Sequence, residues 1–132
     1  MKTPVHILLV FTLFLLAFGA CSDKGTSSDE MLVGSYAYSA FDSLGTKITT
    51  GTLTLLLDGE RITGAWRFTD GRSGDLVGSV SKGVISLNLN PKFIDNNLIL
   101  RGTLAGNVFS GVWQHIGYPG VMAQGTFTAR RQ

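Results

Sequence analysis

From residue 31 to the C-terminus, apolar and polar side chains alternate with a period of two. No window in that stretch places apolar residues at the three-four spacing of an amphipathic helix. The pattern therefore predicts strands and no helices. Glycine marks the alternation. Seven times a Gly stands with a partner two residues away on each side: Leu32-Gly34-Tyr36, Thr49-Gly51-Leu53, Ile62-Gly64-Trp66, Leu76-Gly78-Val80, Leu100-Gly102-Leu104, Phe109-Gly111-Trp113 and Ala123-Gly125-Phe127. A spacing of two keeps each triplet on one face of a strand. A second set of glycines (Gly45, Gly59, Gly71, Gly74, Gly83, Gly106, Gly117 and Gly120) falls between these segments, where turns belong.

The strands so drawn are 31–40, 46–57, 60–68, 74–80, 84–90, 97–104, 107–114 and 121–129. In the third, Ile62, Gly64, Trp66 and Phe68 face one way and Arg61, Thr63, Ala65 and Arg67 the other. Asp58-Gly59 is a two-residue hairpin signal, and Ser81-Lys82-Gly83 and Ala105-Gly106 are similarly tight. Consecutive antiparallel strands with short links predict an eight-stranded up-and-down meander barrel, which removes sheet edges by closing on itself. Inward Gly at mid-strand permits the strong coiling that a small barrel requires. A two-sheet sandwich of the same strands is the alternative.

Link lengths distinguish the two ends. Links after the even strands are two to three residues, whereas Phe41 to Gly45, Thr69 to Ser73, Pro91 to Asn96 and His115 to Gly120 are longer. In a meander the odd-to-even links share one end, so one end is closed by tight turns and the other carries four loops. Inward positions at the looped mouth are Tyr38, Trp66, Phe68, Leu89, Trp113 and His115, with Thr49, Leu76, Leu98 and Ala123. Aromatic walls with a few polar handles suit a small apolar ligand. Tyr118 joins this candidate ligand set from its loop. Phe93, Ile94 and Ile116, with Tyr118 again, are candidate contacts for a protein partner. The alternatives are a barrel filled by its own aromatics and loops that fold back over the barrel end.

The N-terminus reads differently. Met1 and Lys2 precede an apolar run, Val5 to Phe18. Its 14 residues, at about 1.5 Å each, fall short of roughly 30 Å of hydrocarbon and fit the core of a secretory signal. Phe18-Gly19-Ala20-Cys21 resembles the bacterial lipobox, with Phe18 where Leu, Val or Ile is usual. The resemblance implies acylation of Cys21, removal of residues 1–20 and anchorage in the cell envelope. Ser22, with no Asp at that position, resembles the outer-membrane sorting pattern. Residues 22–30 lack apolar side chains and read as a tether with a reach of roughly 15–18 Å. A single domain, 31–132, remains. The tether joins the closed end, so the looped mouth is expected to point away from the membrane.

Composition narrows the chemistry. Charged residues are only 15% and the formal net charge is +2, which gives no basis for nucleic-acid binding. Cys21 is the sole cysteine, so the fold stands without an internal disulfide. Beyond the signal, His115 is the only histidine and carboxylates sit singly, so neither a metal site nor a cofactor is expected. Asp42, Asp70 and Asp95 share the looped end with His115, the inventory of a loose Ca²⁺ site or an acid/base pair, and Ser43 or Ser73 with His115 and Asp70 or Asp95 would complete that of a triad. No nucleophile elbow accompanies them, and geometry rather than inventory defines a triad. The chain is therefore read as non-enzymatic.

Gly34-Ser35-Tyr36 and Ile62-Thr63-Gly64-Ala65-Trp66, within the short meander, resemble avidin-type and lipocalin-like (calycin) barrels over about 100 residues. The resemblance implies a barrel that holds a small molecule at its open end. It does not carry over the avidin ligand set: the first strand offers Tyr38 and Ser39 without an Asn, and the eighth has no Trp. Tyr36 stands where lipocalins have the Trp of Gly-x-Trp. The Thr-rich outer face, interrupted by Ile48, Leu56, Val112 and Met122 among others, makes a homo-oligomer a further candidate. The expectation is a membrane-anchored envelope lipoprotein, outer-membrane by sorting pattern, that binds a small apolar ligand at its mouth. The alternative is an interaction or inhibitor module acting through the same loops.

Overall fold

The computed structural model describes residues 32–132. The signal, Cys21 and the tether lie outside the described residues. Eight strands follow in chain order: β1 (Gly34–Phe41), β2 (Lys47–Asp58), β3 (Arg61–Phe68), β4 (Ser73–Ser81), β5 (Val84–Asn88), β6 (Asn96–Ala105), β7 (Val108–Gly117) and β8 (Gly120–Arg131). Each pairs antiparallel with its sequence neighbour, and β1 pairs with β8, so the sheet is a closed barrel. The meander is as the alternation predicts, and the sandwich is excluded.

The mid-strand glycines explain how so small a barrel closes. A Cβ at Gly64 would collide with the Thr54 carbonyl oxygen, and one at Gly102 with that of Ser110. Gly51, Gly78, Gly111 and Gly125 meet the same obstacle on their neighbouring strands. The strands bend toward each other at these positions more closely than any side chain permits.

The closed end is densely packed. Leu32, in a short 3₁₀ turn before β1, plugs it and accepts a 2.8 Å hydrogen bond from the Tyr36 hydroxyl to its carbonyl. Arg131 reaches back from β8 to donate to the Val33 carbonyl at 2.6 Å. Its guanidinium lies against Gly34, whose φ of +149° favours glycine. Behind this clamp Phe109 and Phe127 meet edge to face, with ring centroids 4.8 Å apart, among Leu55, Ile62, Val80 and Ile85.

Every strand is displaced from the sequence reading at one end or both, most ends by a single residue, and three of the shifts change the picture. The first strand starts at Gly34 rather than residue 31, because the chain turns in to bury Leu32. The fifth ends at Asn88, where the Asn88 side chain accepts from the Asn90 backbone N–H and draws the chain into a loop. The third difference is larger. Residues 115–120 are not a long loop: β7 runs to Gly117, pairs it with Gly120, and only Tyr118 and Pro119 form the turn. Pro119 sits at the tip, where no ladder donor is required, and Gly120 takes φ +140°. The looped end therefore carries three loops and one extended hairpin.

Candidate functional site

The looped end opens into a cavity of about 640 Å³. Its lining includes Tyr38, Thr49, Trp66, Phe68, Leu89, Leu98, Trp113, His115 and Ala123, as the strand parity of each residue requires. Leu76 from the same expected set is instead sealed in the core. Each wall residue comes from the late part of an odd strand or the early part of an even one, or from the loop just beyond. A short barrel with small residues at its rim (Ala40, Ala123) leaves this end unfilled.

The aromatic residues form a graded floor. Tyr38 and Phe68 stack with ring centroids 5.6 Å apart and planes 11° from parallel. Trp66 lies against Phe68 at 4.5 Å, and Tyr38 leans on Phe127 of the deeper core at 6.0 Å. Tyr38, Phe68 and Trp113 are buried, and Trp66 is half-buried toward the opening. Both indole N–H groups are committed. Trp66 donates to the Leu89 carbonyl at 2.6 Å and Trp113 to the Phe41 carbonyl at 2.8 Å. The first bond ties the loop after β5 to the rim, and the second ties β7 to the last residue of β1. The indoles thus offer the cavity their rings and not their donors.

One polar group in the floor is different. The Tyr38 hydroxyl has no hydrogen-bond partner among the described residues, although its side chain lines the cavity. Burial pushes its ionisation well above the ordinary tyrosine range, so the group is a neutral phenol. Around the rim stand Arg72, Ser73, Asn90, Asn96 and His115. The His115 ring Nε2 pairs with the Asn96 side-chain oxygen. Arg72 binds Asp70 at 2.8 Å and holds its guanidinium 5.3 Å from the centre of the Phe68 ring. The backbone N–H of Arg72, and then its guanidinium, keep the exposed Asp70 carboxyl below the usual carboxylate range.

Of the acid and base inventory at this end, His115 meets Asn96, Asp70 meets Arg72, and the Asp42 carboxylate accepts the amides of Leu44 and Thr46. Among the described residues there is no group of three side chains suited to a metal ion.

The remaining expected site residues are placed apart from the cavity. Tyr118, at the tip of the β7–β8 hairpin, is 88% exposed and does not line it. The extension of β7 carries Tyr118 past the rim instead of over the mouth. Phe93 and Ile94 are also exposed on the loop after β5, whereas Ile116 is half-buried in β7. These loop side chains do not fold back to seal the barrel.

Strand parity missed several lining residues. Ala40 shares the parity of Tyr38 and was legible. Asn90 and Asn96 flank the Pro91 loop, and Arg72 and Ser73 close the β3–β4 turn, so adjacency alone signalled them. Ile48 carried no signal. It has the outward parity, but Ala40 pairs with Thr49 and Phe41 with Lys47, leaving Ile48 as the extra residue of a bulge that turns it to the mouth.

No protein-family model and no curated protein matches the chain. Among solved structures, it is similar to a redesigned beta barrel at TM-score 0.57 and 15% identity, covering 80% of this chain and 95% of that one. It is also similar to the redesigned beta barrel mFAP1 bound to DFHBI, at TM-score 0.53 and 17% identity, covering 79% and 98%. At these identities the likeness concerns the fold.

Proposed function

We propose that this chain is a non-enzymatic envelope lipoprotein, anchored through Cys21, that holds a small, largely apolar molecule in the looped mouth of its barrel. One observation carries the ligand reading: a cavity of about 640 Å³ floored by four aromatic rings, with an unpaired phenol inside it. A filled barrel has no such space. The volume lies in the ordinary range of ligand sites, roughly 300–1,000 Å³. The mFAP1 barrel, which is bound to DFHBI, gives this architecture a small-molecule precedent. His115, paired with a neutral amide, has the partner of a positioned rim residue rather than that of a general base.

The test is native mass spectrometry of the chain from Ser22, with the anchor omitted. The barrel closes within residues 34–131, so the missing segment leaves its ladders intact. Retained extra mass that Trp113→Ala loses, with the far-ultraviolet circular dichroism preserved, is the expected result. A mass unchanged by that substitution refutes the site. The anchor is tested separately: Cys21→Ala should abolish incorporation of labelled palmitate and membrane fractionation.

A second reading is favoured by the exposure of Ile94, Tyr118 and Phe93 at the same end. In this reading the loops contact another envelope protein. Serine at all three positions should then abolish recovery of the partner after cross-linking while leaving the barrel folded.

A further inference from the structure

The mouth is electrostatically one-sided. Its lining contains the Arg72 guanidinium and the His115 imidazole and no carboxylate. Of the looped end's acids, Asp42 is spent on two backbone amides and Asp70 on Arg72, and Asp95, on the loop after β5, stands outside the lining. The Arg72–Asp70 pair is solvent-exposed on both sides, with side-chain exposures of 64% and 50%. Exposed pairs of this kind are weak and exchange readily with a competing anion. The stack on Phe68 keeps the guanidinium at the cavity wall when its carboxylate partner is exchanged. Below it, the indoles of Trp66 and Trp113 present rings whose N–H groups are already satisfied. Such surfaces favour a flat ring over a group seeking donors.

We propose that the mouth selects an aromatic anion, its ring system seated against Trp66, Trp113 and the Tyr38–Phe68 pair and its acid group paired with Arg72 at the rim. The inference rests on the cavity being a binding site and adds the chemical class of its occupant. The Tyr38 hydroxyl, which burial keeps protonated, would donate to an acceptor at the inner edge of the ring system.

A matched set of ligands tests this: naphthalene-2-sulfonate, naphthalene-2-sulfonamide and 2-naphthylmethylamine, titrated calorimetrically into the chain from Ser22. The sulfonate and sulfonamide share a shape and differ in charge. The expected result is that the sulfonate binds about tenfold more tightly than the sulfonamide, the worth of one charge-assisted contact, with the amine weakest. Arg72→Gln should bring the sulfonate-to-sulfonamide ratio to about one, and Asp70→Asn should raise it by freeing the guanidinium. Failure of all three ligands to bind would overturn the cavity reading itself. Equal binding of the three, or preference for the amine, would leave that reading standing and overturn the anion proposal. A preference that survives Arg72→Gln would overturn the assignment of Arg72.

Discussion

If the mid-strand glycines close the barrel by letting backbones touch, a single methyl group at one of them should be far more damaging than the same methyl at a turn. Gly102 of β6 faces Gly111 of β7 across the ladder. A Cβ on Gly102 would overlap the Ser110 carbonyl oxygen, stand 2.6 Å from the Ser110 carbonyl carbon and 3.0 Å from the Gly111 Cα. All three obstacles are backbone, so no rotamer change relieves them. Ordinary overpacking of a core costs about 1–3 kcal/mol and occasionally more, and a backbone obstacle puts Gly102→Ala at about 3 kcal/mol or beyond. The loss of unfolded-state freedom on Gly→Ala offsets this by only about 0.4–1 kcal/mol. Gly106, in the β6–β7 turn, is the control. A Cβ there meets nothing within 4 Å, but φ is +59°, which costs an L-residue about 1–2 kcal/mol. At about 4–8 °C per kcal/mol for a domain of this size, Gly102→Ala should lower Tm by at least about 8 °C. Differential scanning calorimetry on both variants provides the comparison. A Gly102→Ala loss equal to or smaller than that of Gly106→Ala would refute close strand approach as the cause of closure.

Three further outcomes follow from individual contacts. Gly74→Ala should spare the fold but perturb binding, because the three atoms nearest its Cβ all belong to the Trp66 indole, at 3.1 Å; comparing Tm with ligand affinity separates the two effects. Tyr36→Phe removes the hydroxyl that bonds the Leu32 carbonyl and leaves a buried acceptor unpaired, so urea unfolding should show a loss of about 1–2 kcal/mol. Tyr38 ionises in the unfolded chain near the ordinary tyrosine value of 10.0 but not in the folded one, so stability is fully present below that pH and falls as pH rises through it. Thermal melts between pH 8 and 11 should show this decline, and Tyr38→Phe should reduce its slope.

The barrel was legible because its physics is local. Period-two alternation, inward glycines and Asp58-Gly59 each specify strand or turn without reference to distant residues, and together they leave the meander as the economical closure. Mouth-lining side chains follow from parity, which puts Tyr38, Trp66, Phe68, Trp113 and His115 on the inward face at that end. What escaped was register. Ile48, and Met122 opposite the His115–Ile116 step, are each one residue more than their partner strand can pair. Alternation counted along one strand carries no information about such a surplus, because a bulge is defined by two strands. The same limit hid the length of the final hairpin. Gly117, Pro119 and Gly120 all signal a turn, but only the pairing of Gly117 with Gly120 shows that the strands continue to the tip.

The distribution of hydrogen bonds explains how a barrel can keep one end partly empty. At the closed end, Tyr36 and Arg131 tie the segment before β1 to the first and last strands, and Phe109 and Phe127 fill the interior behind them. At the mouth, the indole donors are turned onto backbone carbonyls of the β5–β6 loop and of the end of β1, so the rim is held by hydrogen bonds that leave the centre clear. If the tryptophans served only as filler, those N–H groups would more economically be absent, since Phe fills space without a donor to satisfy. The use of two tryptophans as struts onto rim carbonyls preserves aromatic surface and space together. A barrel built this way separates the source of its stability from the surface it offers to a ligand.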